Sequence, residues 1–314
     1  MYRKLIKLRR EHFVIIALLH CHIQLIPIDD KGIDDCRAYS FREATAKVVV
    51  LKELAELSEV AEGYSTKAFL ELKGVMTVKG HCPASIICEW KQYKRTKRSR
   101  RMNPIVFPTN QTYLLLAVEN GGVNLNEYEI ATIRQAYSIV YQLFIATAVA
   151  ESRLSYEHRS LDIKNIFISS ASWRETIISN IDGLQLEIPA HGVKVKIAAS
   201  SFCRMCKDGS SIYFDWASND KLFVGGNDFE HIILQAMRKI NRNVWGTFSP
   251  ASNILWLTYV INFIYNRLQQ LQVGSEESRT QFFDHFKQLC ECANIRDWIH
   301  DHIGTFMEEE INSW

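Results

Sequence analysis

The sequence has no apolar run of the ~18 residues that a membrane-spanning helix needs, which points to a soluble, intracellular protein with no membrane partner. It also lacks an excess of either charge: 37 Lys and Arg stand against 35 Asp and Glu, a formal net charge of +2. No global field draws nucleic acid or membrane, so any such contact must come from a local patch. There is no internal repeat and no low-complexity segment. An apolar content of 47% with 11% aromatics excludes a disordered chain. Eight cysteines in 314 residues are ordinary usage. The close pairs Cys203/Cys206 and Cys290/Cys292 could together offer four thiolates to zinc, but their spacings match no common zinc module. Reduced, partly buried thiols are expected instead. The basic start, with five Lys and Arg in residues 1–10, resembles the head of a signal peptide. The apolar run 13–19 behind it is short and no small-x-small site follows, so a packed β-strand is the expected reading.

What is present begins with β-branched runs in residues 13–28, expected as two strands closed by Pro27 and a turn at 29–32. Ser40 and Glu43 form a capping box, and apolar spacing predicts a helix over 41–59, ended at Glu62-Gly63. Strands are expected over 69–78, 85–90 and 113–118. Residues 91–101 hold seven Lys and Arg in eleven positions. The plain reading is a solvated loop; the functional one is a nuclear-import or polyanion-binding patch. Residues 119–122 form a flexible link. A long helix over 126–155 follows, then a hairpin over 177–189 turning at Asp182-Gly183 and a strand over 193–198. A further strand is expected at 212–215, with helices over 232–240 and 254–271 and from 276 onward. The expected class is α+β and bilobal, a small β-rich N-lobe with one long helix (1–122) and a larger, mainly helical C-lobe (123–314).

Residues 156–168, YEHRSLDIKNIFI, carry the chemistry. They trace a protein-kinase catalytic loop, His-Arg-Asp-Leu-x-x-x-Asn, followed by a strand. In a kinase the Asp accepts the proton of the attacking hydroxyl and the Asn holds magnesium. Asn165 is present, but Ser160 stands where the Asp belongs. A hydroxyl with no adjacent base is a poor proton acceptor at neutral pH. The nearest carboxylates are Glu157 and Asp162, and Asp162 is the candidate substitute base.

The company of this loop resembles the haspin kinases, an atypical serine/threonine kinase family. Tyr156-Glu157-His158-Arg159 looks like that family's loop entry. Residues 119–125, including Glu119 and Asn124, resemble its hinge. Trp245-Gly246 and Pro250-x-Ser252-Asn253-Ile254-Leu255-Trp256-Leu257 resemble its late signature, and residues 48–54 its αC helix. Asp215 through Leu222-Phe223 resembles its substitute for an activation loop. The resemblance implies ATP and magnesium as cofactors, a threonine near the histone H3 N-terminus as substrate, and chromatin in the nucleus as the setting.

Position by position, the resemblance implies losses. Gln24 stands for the lysine that grips ATP, and an amide supplies no positive charge. Lys47 stands for the glutamate that pairs with that lysine. Ser160 replaces the base, and Ala199 replaces the metal-binding Asp, where a methyl cannot ligate magnesium. Asn165 alone survives as a metal ligand, and no Gly-x-Gly-x-x-Gly precedes the first strands. Asn219 and Lys221 stand where the family tends to carry Asp, so a basic histone tail meets less negative charge. Two readings follow: a pseudokinase that binds or scaffolds a protein partner and needs no cofactor, or a divergent serine/threonine kinase using Asp162 as base, Asn165 as metal ligand, and ATP.

Overall fold

The computed structural model describes residues 14–17, 21–29, 39–97, 103–220, 223–224 and 229–302, with backbone only for 14–17 and 96–97. The expectations for residues 1–13, for the turn at 30–32, for the charges at 98–101, for Lys221 and Leu222 and for the chain beyond 302 lie outside these. The chain divides into two compact units: Met1–Glu53 with Leu70–Asn120, and Leu54–Phe69 with Gly121–Trp314. A single cut after residue 122 would assign Leu54–Phe69 to the first unit; its packing groups it with the second.

In the first unit, β1 (Val14–Ala17) pairs antiparallel with β2 (Cys21–Ile28). Helix α1 (Phe41–Glu56) opens on the expected capping box: the Ser40 N–H donates to Glu43 Oε2 at 2.8 Å, and the Glu43 N–H donates to Ser40 Oγ at 3.2 Å. Its buried face carries Ala44, Lys47, Val50 and Leu51. β3 (Leu72–Lys79) follows, and then α2 (Ala84–Lys97). This helix replaces the strand expected at 85–90 and the first part of the loop expected at 91–101. Its start follows Pro83, and Ile86 and Trp90, four residues apart, bury one face against Leu25, Cys82, Phe107 and Tyr113. β4 (Thr112–Glu119) completes the antiparallel order β1-β2-β4-β3.

In the second unit, β5 (Val123–Asn124) leads to α3 (Ile133–Leu154), which starts later than expected. The Gln135 N–H donates to Thr132 Oγ1 at 3.2 Å, so Thr132 is the cap. The helix ends at Ser155, whose φ of 44° is left-handed. β6 (Ile166–Ser170), the hairpin β7 (Thr176–Ile181) and β8 (Leu184–Pro189), and β9 (Val193–Ile197) follow. The hairpin turns at Asp182-Gly183, both at positive φ, as the sequence predicts. The order β5-β6-β9 forms a small sheet beside α3. β10 (Met205–Lys207) and β11 (Ser210–Ile212) make a second hairpin, so the strand expected at 212–215 ends at its first residue.

Helices α4 (Phe229–Ile240), α5 (Ala251–Gln270), α6 (Glu276–Lys287) and α7 (Ile295–Asp301) fill the rest. Tyr137, Tyr141 and Phe144 of α3 meet Phe282 and Phe286 of α6 and Trp298 of α7 in edge-on and tilted ring packing. The α+β class expected from the sequence holds.

Gly122 has φ +95°, and a Cβ there would lie 2.3 Å from the Ile168 carbonyl oxygen. Gly122→Ala is expected to cost about 1–3 kcal/mol from the backbone conformation alone, with the clash adding to it. A drop in the urea midpoint of the purified variant reads this. An unchanged midpoint would mean the β5–β6 register gives way at no cost.

Candidate functional site

The loop that the sequence singles out joins the end of α3 to β6 and lies wholly within the second unit. Tyr156, Glu157, His158 and Arg159 are buried, and Arg159 takes a left-handed φ of 57°. The Arg159 guanidinium donates through Nε to Glu157 Oε2 at 3.1 Å and through Nη2 to Glu157 Oε1 at 3.0 Å. Nη2 also donates to the Trp245 carbonyl at 2.7 Å, and the guanidinium lies 5.4 Å from the Trp245 ring. The Ser249 N–H donates to Glu157 Oε1 at 3.0 Å. Both side chains are fully buried. Glu157 is therefore a structural anion, out of reach as a base.

His158 ties the loop to the segment after β9. Its Nδ1 accepts from the Ser160 N–H at 3.3 Å, so Nε2 carries the proton and donates to the Ala198 carbonyl at 2.9 Å. Burial lowers its pKa to about 4, which keeps the ring neutral in that tautomer. The Ala198 N–H donates to the Asn165 carbonyl at 2.8 Å, and Ser200 Oγ donates to the His158 carbonyl at 3.1 Å. Ala199 is thus held between two residues anchored to the loop. Asn165 Nδ2 donates to the Ser160 carbonyl at 2.8 Å, which closes the turn.

The structure brings Ser160, Asp162, Asn165 and Ala199 together in one unit. Asp162, nine-tenths buried, faces Lys164 Nζ at 3.3 Å and accepts from the Lys164 N–H at 3.4 Å and the Tyr259 hydroxyl at 3.5 Å. Lys164 Nζ also lies 3.5 Å from Glu230. Asn124 pairs with Phe167 in the small sheet, and its Oδ1 accepts the Glu127 N–H at 3.2 Å. The other residues lie in the first unit. Gln24 on β2 sits opposite Leu116 with its side-chain oxygen buried and without a hydrogen-bond partner among the described residues. Lys47 is buried on α1. Glu119 at the end of β4 accepts the Glu71 N–H at 3.2 Å.

Magnesium demands near-octahedral oxygen ligands, carboxylates foremost. At this loop the donors left for it are the Asn165 amide oxygen and the Ser160 hydroxyl. The Ala199 methyl offers none, and the Asp162 carboxylate is already met by a cation. The residues do not fit the family's metal site. Among the described residues no cluster of three His, Cys, Asp or Glu could hold a metal, and no helix is long and apolar enough to cross a membrane.

Residues the motif reading left without a role carry the site's framework. Asn253 on α5 is fully buried; its Nδ2 donates to Glu151 Oε1 and to the Tyr156 carbonyl, each at 2.8 Å, and its Oδ1 accepts the His158 N–H at 2.9 Å. Burial raises the Glu151 pKa to about 8, against the pull of the Asn253 amide. Arg204 reaches the Ser155 carbonyl at 2.6 Å, and its backbone pairs with that of Glu157. The signal that could have found Asn253 was its place in Ser252-Asn253-Ile254, a polar pair in the first turn of an apolar helix.

A family model described as a haspin-like kinase domain matches residues 24–309 of the chain. The mouse serine/threonine-protein kinase haspin is 33% identical over 233 residues, which cover 73% of this chain and 30% of that protein. The Bos taurus protein of the same name is 31% identical over 249 residues, covering 78% and 32%. A haspin homolog of Drosophila melanogaster is 25% identical over 268 residues, covering 85% and 47%. The chain therefore spans less than half the length of each of these relatives.

Proposed function

Because this chain belongs to the haspin-like kinase family, we propose that it is a pseudokinase, a kinase fold that serves as a protein-binding module in the nucleus, with histone or another chromatin protein as partner. One observation supports this most directly. The Ala199 position is pinned by hydrogen bonds from its neighbours to the loop, and it presents a methyl where magnesium needs a carboxylate. Catalysis of phosphoryl transfer is mostly positioning and charge stabilisation, and that stabilisation goes with the metal. Loss of a base alone costs ~10²–10⁴-fold in rate. Recognition of a basic tail is weakened as well. Asp220 is paired with Arg238 at 2.6 Å, and Asp215 accepts the Ala217 N–H at 3.0 Å.

Wild type, Ser160→Asp and Ala199→Asp are each expected to transfer no labelled phosphate from ATP to a histone H3 tail peptide. The catalytic groups act as a unit, so one restored group has nothing to work with. In the same preparations Mg-ATP should leave the melting temperature unchanged. Transfer by wild type that disappears in Asn165→Ala would overturn the pseudokinase reading. It would favour the divergent serine/threonine kinase, with Asp162 as base and ATP and magnesium as cofactors.

A further inference from the structure

The basic run at 91–101 lies on a helix for its first seven positions, and this changes what it can do. On α2, Ile86 and Trp90 face the core of the first unit. A helical repeat of 3.6 residues then turns Lys91 and Arg95, one turn apart, away from that core, while Lys94 follows Trp90 by one turn and borders them. All three side chains are exposed. Lys94 Nζ lies 5.0 Å over the Trp90 ring, which steadies its stem. None of the three makes an ion pair among the described residues. Glu89 is the only acid in the helix, and it lies on the flank. A protein with a net charge of +2 has here three exposed cations on one helix, with no acidic partner among the described residues.

We propose that the solvent face of α2 binds the phosphate backbone of duplex DNA, independently of base sequence. Three features select this ligand. Lysine and arginine without an ordered acidic partner release counterions when they meet phosphates, which is the source of sequence-independent affinity. Single-stranded nucleic acid is held by aromatic stacking platforms, but Trp90 is 2% exposed and Tyr93 is only partly exposed. A membrane surface is bound by a helix that buries an apolar face in lipid, and the apolar face of α2 is already spent on its own core. The inference stands apart from whether the chain transfers phosphate.

The test is fluorescence anisotropy of the full chain with two unrelated 20-base-pair duplexes, each titrated at several salt concentrations. Wild type should bind both duplexes alike, with log affinity falling linearly against log salt. In Lys91→Gln/Lys94→Gln/Arg95→Gln the slope should become shallower by ~2–3, at ~0.9 for each phosphate that is no longer neutralised. Lys97, Arg98, Arg100 and Arg101 remain in that variant, so binding weakens rather than vanishes. Its melting temperature should match wild type, because the three side chains are exposed. If the triple variant fails to fold, Lys91→Gln and Arg95→Gln read singly should each remove ~0.9 of slope. An unchanged slope would overturn the proposal. So would tighter binding of a single strand of the same length, or binding to phosphatidylserine vesicles but to neither duplex.

Discussion

Arg159→Met is expected to destabilise the second unit by about 3–5 kcal/mol, because it leaves the buried Glu157 carboxylate without its cation. The pair is fully buried, and when the guanidinium is removed Glu157 keeps one hydrogen bond, from the Ser249 N–H, and the charge of Arg204, which does not replace the paired contact. The Trp245 carbonyl also loses its donor. Arg159 Nη1 has no partner among the described residues even in the native protein, so the intact pair carries a desolvation cost that its bonds do not fully offset. It follows that removing both charges should hurt less than removing one. Glu157→Leu/Arg159→Met is expected to recover roughly half or more of the loss. Urea unfolding followed by tryptophan fluorescence measures this directly, since Trp245 packs on the guanidinium. A single variant as stable as wild type, or a double variant worse than the single, would show that the ion pair does not govern the loop.

Stability should pass through a maximum near pH 6.5, with a limb on each side from a different group. Glu151 has an ordinary value of 4.5 and is pushed up to about 8 by burial. Its contribution is fully present below pH 4.5, where folded and unfolded states are both protonated. As pH rises toward 8 only the unfolded chain ionises, so stability is lost. His158 and His285 have ordinary values of 6.5 and are each lowered to about 4 by burial. His191 is lowered too, by burial and then by Arg134.

As pH falls from 6.5 toward 4, only the unfolded chain takes up these protons, and stability is lost in that direction. One proton is worth about 1.4 kcal/mol per pH unit. The alkaline limb from pH 6.5 to 8 should therefore fall at about that rate. Between 4.5 and 6.5 His158 and His285 outweigh Glu151 by one proton, and His191 steepens the acid limb further. Glu151→Gln keeps a neutral group at the same place and should flatten the alkaline limb alone. Denaturant midpoints at half-unit steps from pH 4.5 to 8.5 decide it. Wild-type stability that climbs steadily to pH 8 would mean Glu151 is ionised in the folded protein.

Elements whose signals are local were legible in the sequence. The capping box at Ser40 and Glu43 acts across three residues, and the turn at Asp182-Gly183 needs only two residues that tolerate positive φ. Helix α5 announced itself by a long apolar run. Residues 85–90 misled because Ile86, Ile87 and Trp90 favour strands by propensity. Which period won was settled by Leu25, Phe107 and Tyr113, distant in sequence, offering a surface that an i, i+4 face could cover. The start of α3 was misplaced because Ile130 continues the apolar pattern, while the cap is a single hydrogen bond from the Gln135 N–H to Thr132.

The candidate site divides in the same way. The sequence by itself determined which functional groups exist at the loop: a hydroxyl at Ser160, an amide at Asn165, a methyl at Ala199, carboxylates at Glu157 and Asp162. Only the tertiary structure decided which of them are available. Glu157 is withdrawn by Arg159 two residues away, but also by Ser249, 92 positions on. Glu151 is held by Asn253, 102 positions on, and both are buried by helices that no local pattern connects. Side-chain chemistry is carried by each residue alone. Desolvation, protonation and hydrogen-bond partners depend on what the rest of the chain packs around it, and that packing joins segments far apart in sequence.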